Sequence, residues 1–133
     1  MKLILTILAL SALLFGSKAD FIHDYDKALE IAQAQDKDIY MLVTSEACKW
    51  CRKFEKITLN DEKTMQELKK EYVLLALNRD SDTIPVKYKV KRVPKHFFLT
   101  SKGKVIYSVL GYWNPEDFAS FAGEAKKKNK LGI

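Results

Sequence analysis

Two short, unbroken apolar runs, Ile39 to Val43 and Tyr72 to Leu77, constrain this chain more than any other feature. Both are too short for a buried helix and show no polar alternation, so each predicts a strand covered on both faces. Between them, Cys48 to Lys70 is rich in helix formers, with Trp50, Phe54 and Ile57 read as one stripe; Asn60 and Asp61 interrupt it where a cap can restart a second helix. Strand, helix, strand predicts a parallel pair joined by a right-handed crossover. Ahead of this unit, Tyr25, Ala28, Leu29 and Ala32 recur at the spacing of a helix face, and Asp24 supplies the N-cap.

The second half of the chain reads differently. Asn78 to Thr83 is a polar loop, and Pro85 opens a short helical turn carrying Val86, Tyr88 and Val90. Pro94 interrupts the chain just before a strand over 96–100. Ser101-Lys102-Gly103 is a hairpin turn leading into a strand over 105–110. Asn114-Pro115-Glu116-Asp117 is a helix start, with a capping side chain, proline at the first helical position and acids in the first turn; Phe118 and Phe121 follow as core contacts. No repeat or linker divides residues 20–133, which are expected to form one α/β domain. Its centre is a mixed sheet of about four strands flanked by helices on both faces. Cys48 then falls at the carboxyl end of a central strand, where open α/β sheets place their sites.

The amino terminus is expected to be a signal peptide. Met1 and Lys2 precede an apolar run from Leu3 to Phe15, and Ser17-Lys18-Ala19 sets small residues before Asp20, which predicts cleavage after Ala19. The run is shorter than the roughly 20 residues needed to cross a bilayer, so stable membrane insertion is not expected. No cysteine follows it to carry a lipid anchor. The formal charge of +6 is accounted for by Lys2 and Lys18 in this segment and by Lys126, Lys127, Lys128 and Lys130 in the tail. Residues 20–125 are neutral as a body, so the charge does not argue for nucleic acid as a partner. The tail lysines suit the negative end of a helix dipole.

Only two cysteines are present, Cys48 and Cys51. In an oxidising compartment cysteines usually join distant segments, but a disulfide closing so short a loop removes little denatured-state entropy. The pair therefore points to chemistry. Zinc or copper binding would recruit His23 or His96, which falls short of the usual four-ligand set with a second cluster missing, and no metal is expected. Haem attachment is ruled out because Arg52, not histidine, follows Cys51. His96 is read as a strand residue facing solvent or the edge of the core.

Cys48-Lys49-Trp50-Cys51 after a buried strand, with Val93-Pro94 ahead of a hairpin, resembles the site of the thioredoxin-fold superfamily. Asp24 to Lys53, Ile84 to Leu99 and Gly111-Tyr112 are similar to the small periplasmic thioredoxin-like proteins related to the carboxy-terminal domain of the thiol:disulfide interchange protein. The resemblance implies a thioredoxin-like fold, periplasmic location and a thiol-disulfide oxidoreductase. Its only redox group would be the Cys48-Cys51 disulfide, with no separate cofactor. Cys48 would be the nucleophile and Cys51, one helical turn on and more buried, the resolving thiol. Val93 and a cis Pro94 would lie beside the substrate, with Lys49 and Trp50 on the other side. For Trp50, a ring packed on the domain's own surface is an equal alternative. Exported proteins with disulfides or thiols would be the substrates, and a membrane redox protein the partner.

Two positions depart from the cytosolic thioredoxin pattern. Ala47 replaces the aromatic residue before the first cysteine, and Leu42 stands where a buried aspartate is usual, leaving Glu46 or water to serve Cys51. Lys91, Arg92 and Lys95 are expected to approach Lys49, Arg52 and Lys53 as a basic rim. Reductase or isomerase is favoured over oxidase. The alternatives are a non-catalytic thioredoxin-like binding module, or a metal-binding or chaperone protein using the same cysteines.

Overall fold

The computed structural model describes residues 20–132. The signal-peptide reading of residues 1–19 lies outside the described residues. The elements run α1 (Tyr25–Gln35), β1 (Asp38–Thr44), α2 (Lys49–Ile57), α3 (Glu62–Glu71), β2 (Tyr72–Asn78), a 3₁₀ turn (Val86–Tyr88), β3 (Lys95–Leu99), β4 (Val105–Leu110) and α4 (Pro115–Leu131). The four strands form one sheet in the order β2-β1-β3-β4. β1 pairs parallel with β2 and antiparallel with β3, which pairs antiparallel with β4. The two unbroken apolar runs are thus β1 and β2. β1 is flanked by a strand on each edge and covered on each face, so every residue from Ile39 to Thr44 is buried.

Alternation along β1 divides the core. Tyr40 and Leu42 point to one face, where they join Phe54 of α2, Met65 and Leu68 of α3, and Phe118 and Ala125 of α4. Ile39, Met41 and Val43 point to the other, where Ala28 and Ala32 of α1 and Tyr88 of the 3₁₀ turn cover them. This is the period-two consequence of a strand inside a three-layer sandwich.

Local chemistry sets the helix ends. Asp24, Asp61 and Asn114 each accept a backbone N–H from the first turn of the helix that follows, at 2.9 Å in all three cases. Thr64 also donates its hydroxyl to Asp61, and together these bonds hold the Asp61 carboxyl below its ordinary range. Ile22 adds an extra rung at the outer edge of β2: its N–H donates to the Leu74 carbonyl at 2.8 Å and its carbonyl accepts from Ala76 at 2.9 Å. An otherwise open sheet edge is thereby covered.

The stripe expected along α2 needs correcting. Cys51 and Phe54 are its buried face, whereas Trp50 and Ile57 are 50% and 43% exposed. The burial axis is rotated from the one read in sequence because the small Cys51 sits against the sheet and carries the helix in close. Trp50 is left on the flank, beside Lys53.

Candidate functional site

Cys48 is the N-cap of α2, at the point where β1 ends. Its Sγ accepts the Cys51 N–H at 3.1 Å, and its carbonyl accepts the Arg52 N–H at 3.1 Å. The first turn of α2 carries no acid, so nothing opposes the partial positive charge at this helix end. Cys51 lies one turn on. The two are joined by a disulfide with their Cα atoms 5.2 Å apart. Cys51 has no exposed surface and Cys48 retains 8%, so an incoming group meets the Cys48 side of the bond first.

The cysteine faces an open recess of about 400 Å³. Lys49 and Trp50 line one side, and Val93, Leu110 and Gly111 line another. The Val93–Pro94 peptide bond is cis. Pro94 itself is buried behind Val93, and its carbonyl accepts the Gly111 N–H at 2.8 Å. Of the residues singled out in sequence, Cys48, Lys49, Trp50 and Val93 therefore meet at the recess, with Cys51 and Pro94 in the layer beneath.

The basic rim is real in part. Lys49, Lys91 and Arg92 line the recess, as does Arg79, which sequence reading overlooked because it lies in the polar loop after β2. That loop folds back: Arg79 donates to the Lys91 carbonyl at 2.6 Å, and its N–H donates to the Thr44 carbonyl at the end of β1 at 2.9 Å. The other three expected cations are not among its lining. Lys95 lies over the Phe97 ring, Arg52 pairs with Glu55 at 3.3 Å, and Lys53 sits over Trp50 and Tyr112.

The Trp50 ring is only partly packed on the domain's own surface. One part of the ring packs against Tyr112, with centroids 6.2 Å apart, and half of the residue stays exposed. Leu42 is buried, as the aspartate it replaces would be, and lines a second cavity of about 180 Å³ with Glu55. Glu46 is exposed, and its N–H donates to Asp80 at 2.8 Å.

His96 overturns its sequence reading. It is fully buried on β3, neither facing solvent nor at the core's edge. Its Nε2 is 2.8 Å from the Gly111 carbonyl, which only accepts, so Nε2 carries the proton; Nδ1 then accepts from the Tyr40 hydroxyl at 2.7 Å. Burial holds this imidazole down at about 4, with the Lys95 charge adding to the effect and the Gly111 bond partly opposing it. The ring is thus a neutral strut. Gly111 is clasped from both ends, by Pro94 at its N–H and by His96 at its carbonyl, and it forms part of the recess wall. Sequence reading missed it because nothing local distinguishes a histidine whose two partners are 56 and 15 residues away. Among the described residues no group of three or more His, Cys, Asp or Glu is placed to hold a metal ion.

A disulfide that closes a single helical turn does little for stability. One that keeps a sulfur at the surface, in the field of a helix amino end, is built for exchange, and this defines the class: thioredoxin-like thiol-disulfide oxidoreductases. The chain belongs to the thioredoxin-like domain family, whose model matches residues 25–126. It is 30% identical over 94 residues, 66% of its length, to the thiol:disulfide interchange protein DsbD of Yersinia pestis, and it spans 16% of that protein. The oxidised carboxy-terminal domain of Neisseria meningitidis DsbD is similar in fold, with a TM-score of 0.66 at 19% identity, covering 79% of this chain and 98% of that one. A thioredoxin from Thermus thermophilus gives a TM-score of 0.63 at 21% identity, covering 84% and 85%.

Proposed function

We propose that this chain is an exported, periplasmic oxidoreductase that exchanges disulfides with protein substrates, acting as a reductase or isomerase rather than an oxidase. The observation that carries the reading is the placing of Cys48 at the α2 amino end, with Cys51 buried beneath it and Val93 across the recess. In the reducing direction, the Cys48 thiolate attacks one sulfur of the substrate disulfide. A Cys48–substrate bond forms, the substrate S–S bond breaks, and one substrate thiolate leaves and takes a proton from solvent. The Cys51 thiolate then attacks the Cys48 sulfur and releases the second substrate thiol. Two electrons have passed to the substrate, and the protein holds the Cys48–Cys51 disulfide.

The surroundings serve that sequence. The Cys51 N–H, the helix end and the recess cations all favour thiolate over thiol at Cys48. Val93, backed by Pro94, on one side, with Lys49 and Trp50 on the other, forms the channel in which a substrate segment lies. Turnover as a reductase needs a dithiol donor to restore the pair, and a membrane redox partner protein fits this need. Support comes from the similarity to the interchange protein, of which this chain matches only a part.

Insulin reduction or refolding of a scrambled protein, with Cys48→Ser as control, tests the exchange: turnover is expected from the native protein alone. Equal turnover by both proteins would sink the enzyme reading in favour of a binding module. Direction is read by redox titration of the couple. A potential near the roughly −270 mV of thioredoxin supports a reductase, and one near the roughly −120 mV of DsbA overturns that half of the reading. Thiolate stabilisation has its own check: alkylation of the reduced protein by iodoacetamide is expected to have its midpoint below the ~8.5 of a free cysteine.

A further inference from the structure

Resting on that exchange reading, we infer that the recess beside Cys48 selects substrates whose disulfide is flanked by acidic residues. Four cations line it, Lys49, Arg79, Lys91 and Arg92, and no carboxylate does. Of the four, Arg79 has a carboxylate partner, Asp80, at 4.0 Å, which also accepts the Glu46 N–H. Lys49, Lys91 and Arg92 have no carboxylate partner within ion-pair distance among the described residues. All three are exposed.

Such clustering has a physical consequence. Like charges held around a concave surface raise the local concentration of an opposite charge and speed its approach. They also penalise a cationic partner. Elsewhere the body's charges are mixed: Lys69 pairs with Asp20, Lys126 with Glu71 and Lys127 with Glu124. The recess lining is thus cationic in a domain whose residues 20–125 are neutral overall.

The shape identifies the occupant as a polypeptide segment rather than an anionic membrane. Cations and Cys48 line the same open recess, which an extended segment can follow side chain by side chain, whereas a flat bilayer surface would meet only its rim. The recess's apolar shoulder is the pairing of Trp50 and Tyr112, capped by Lys53, whose ammonium is 5.2 Å from the first ring and 4.7 Å from the second. An acidic segment passing Cys48 meets cations on the Lys91 and Arg92 side and this aromatic step on the other. Rim charges of this kind act mainly on association rate and discrimination.

The test uses three disulfide peptides of one sequence, with glutamate, glutamine or lysine on both sides of the cysteines. In one arm, serine replaces cysteine and each peptide is titrated by NMR into the oxidised protein, which reads the recess without exchange chemistry. In the other, the reduced protein reduces each disulfide at 50 mM and 300 mM salt. The glutamate peptide is expected to shift Lys49, Trp50, Lys91 and Val93, and to react about tenfold faster than the lysine peptide at low salt, with the difference shrinking at high salt. The Lys91→Glu/Arg92→Glu double variant should erase or invert that order, whereas Lys102→Glu, at the distant hairpin, should keep it. Equal shifts and equal rates for glutamate and lysine peptides overturn the inference, as does a recess that responds only to vesicles of anionic lipid. Failure of the exchange reading looks different: the glutamate serine-peptide shifts the recess, yet no disulfide peptide is reduced.

Discussion

The two faces of the sheet are built from different material. The face under α2, α3 and α4 is aromatic, with Tyr40, Phe54, Tyr72, Phe98 and Phe118 buried around His96. The face under α1 is mainly aliphatic: Ile39, Met41, Val43, Val73, Leu75, Leu77 and Leu99. Aliphatic burial is non-directional and needs only matching volume. Rings prefer edge-to-face geometry, and the polar ones need fixed partners. Phe54 meets His96 edge-on at 4.6 Å and Phe118 at 5.2 Å, and Tyr40 holds His96, which holds Gly111. The directional face is the one that carries the disulfide helix and a wall of the recess. The other is a floor. Orientation at the site is thus set by the layer beneath it.

Deleting one large side chain from each face is the strongest way to break this contrast. Phe54→Ala is expected to cost about 3–5 kcal/mol and Leu75→Ala about 2–5 kcal/mol in denaturant unfolding. The kinetic outcomes should diverge: folded Phe54→Ala loses exchange rate because α2 is no longer seated, whereas folded Leu75→Ala keeps it. Matching losses of rate in both variants would dissolve the distinction between the faces.

A pH series sharpens it next. The native state holds His96 neutral down to about 4, whereas the unfolded chain protonates it near 6.5. Between those values the native state binds fewer protons, so this contribution is fully present above 6.5 and is lost as pH falls toward 4. The loss is on the order of 3 kcal/mol. His96→Gln offers an amide N–H to Gly111 and an amide oxygen to Tyr40 without titrating. Its stability between pH 7 and pH 4 is expected to fall less than the native protein's by about that amount. Parallel curves for the two proteins would remove His96 as the titrating strut.

The smallest effect lies at a loose spot on the aromatic face. A cavity of about 270 Å³ opens between α3 and α4, with Gly123 on its lining. A Cβ built on Gly123 meets nothing within 4 Å, and the residue is exposed inside α4. Gly123→Ala is expected to stabilise the domain by roughly 0.5–1 kcal/mol, through backbone entropy in the unfolded chain, without changing exchange. Destabilisation on thermal melting would show that the helix needs glycine there for a reason outside local sterics.

Sequence reading succeeded wherever the cause was local. β1 and β2 were visible as unbroken apolar runs, and Asp24, Asp61 and Asn114 were readable caps because the groups they satisfy lie three residues on. The hairpin at Ser101-Lys102-Gly103 was readable for the same reason: Gly103 takes a positive φ of 83°, and its N–H closes the turn on Thr100 at 2.9 Å. It failed wherever a side chain's environment comes from elsewhere in the chain. The sequence pattern puts Trp50 and Ile57 on the wrong side of α2, gives no sign that Arg79 reaches the recess, and sets Lys95 in a rim although it lies over Phe97.

From sequence alone came the strand order of the first half, the helix that begins at Cys48, and the dithiol one turn long. These follow from hydrophobic runs, capping groups and a three-residue spacing, which act over one or two turns of chain. Folding in three dimensions decided which cations surround Cys48, that His96 is a buried neutral strut, and that Gly111 is held from both sides. Those outcomes depend on contacts between residues far apart in the chain, and which residues meet is fixed by the register of the sheet rather than by any local pattern.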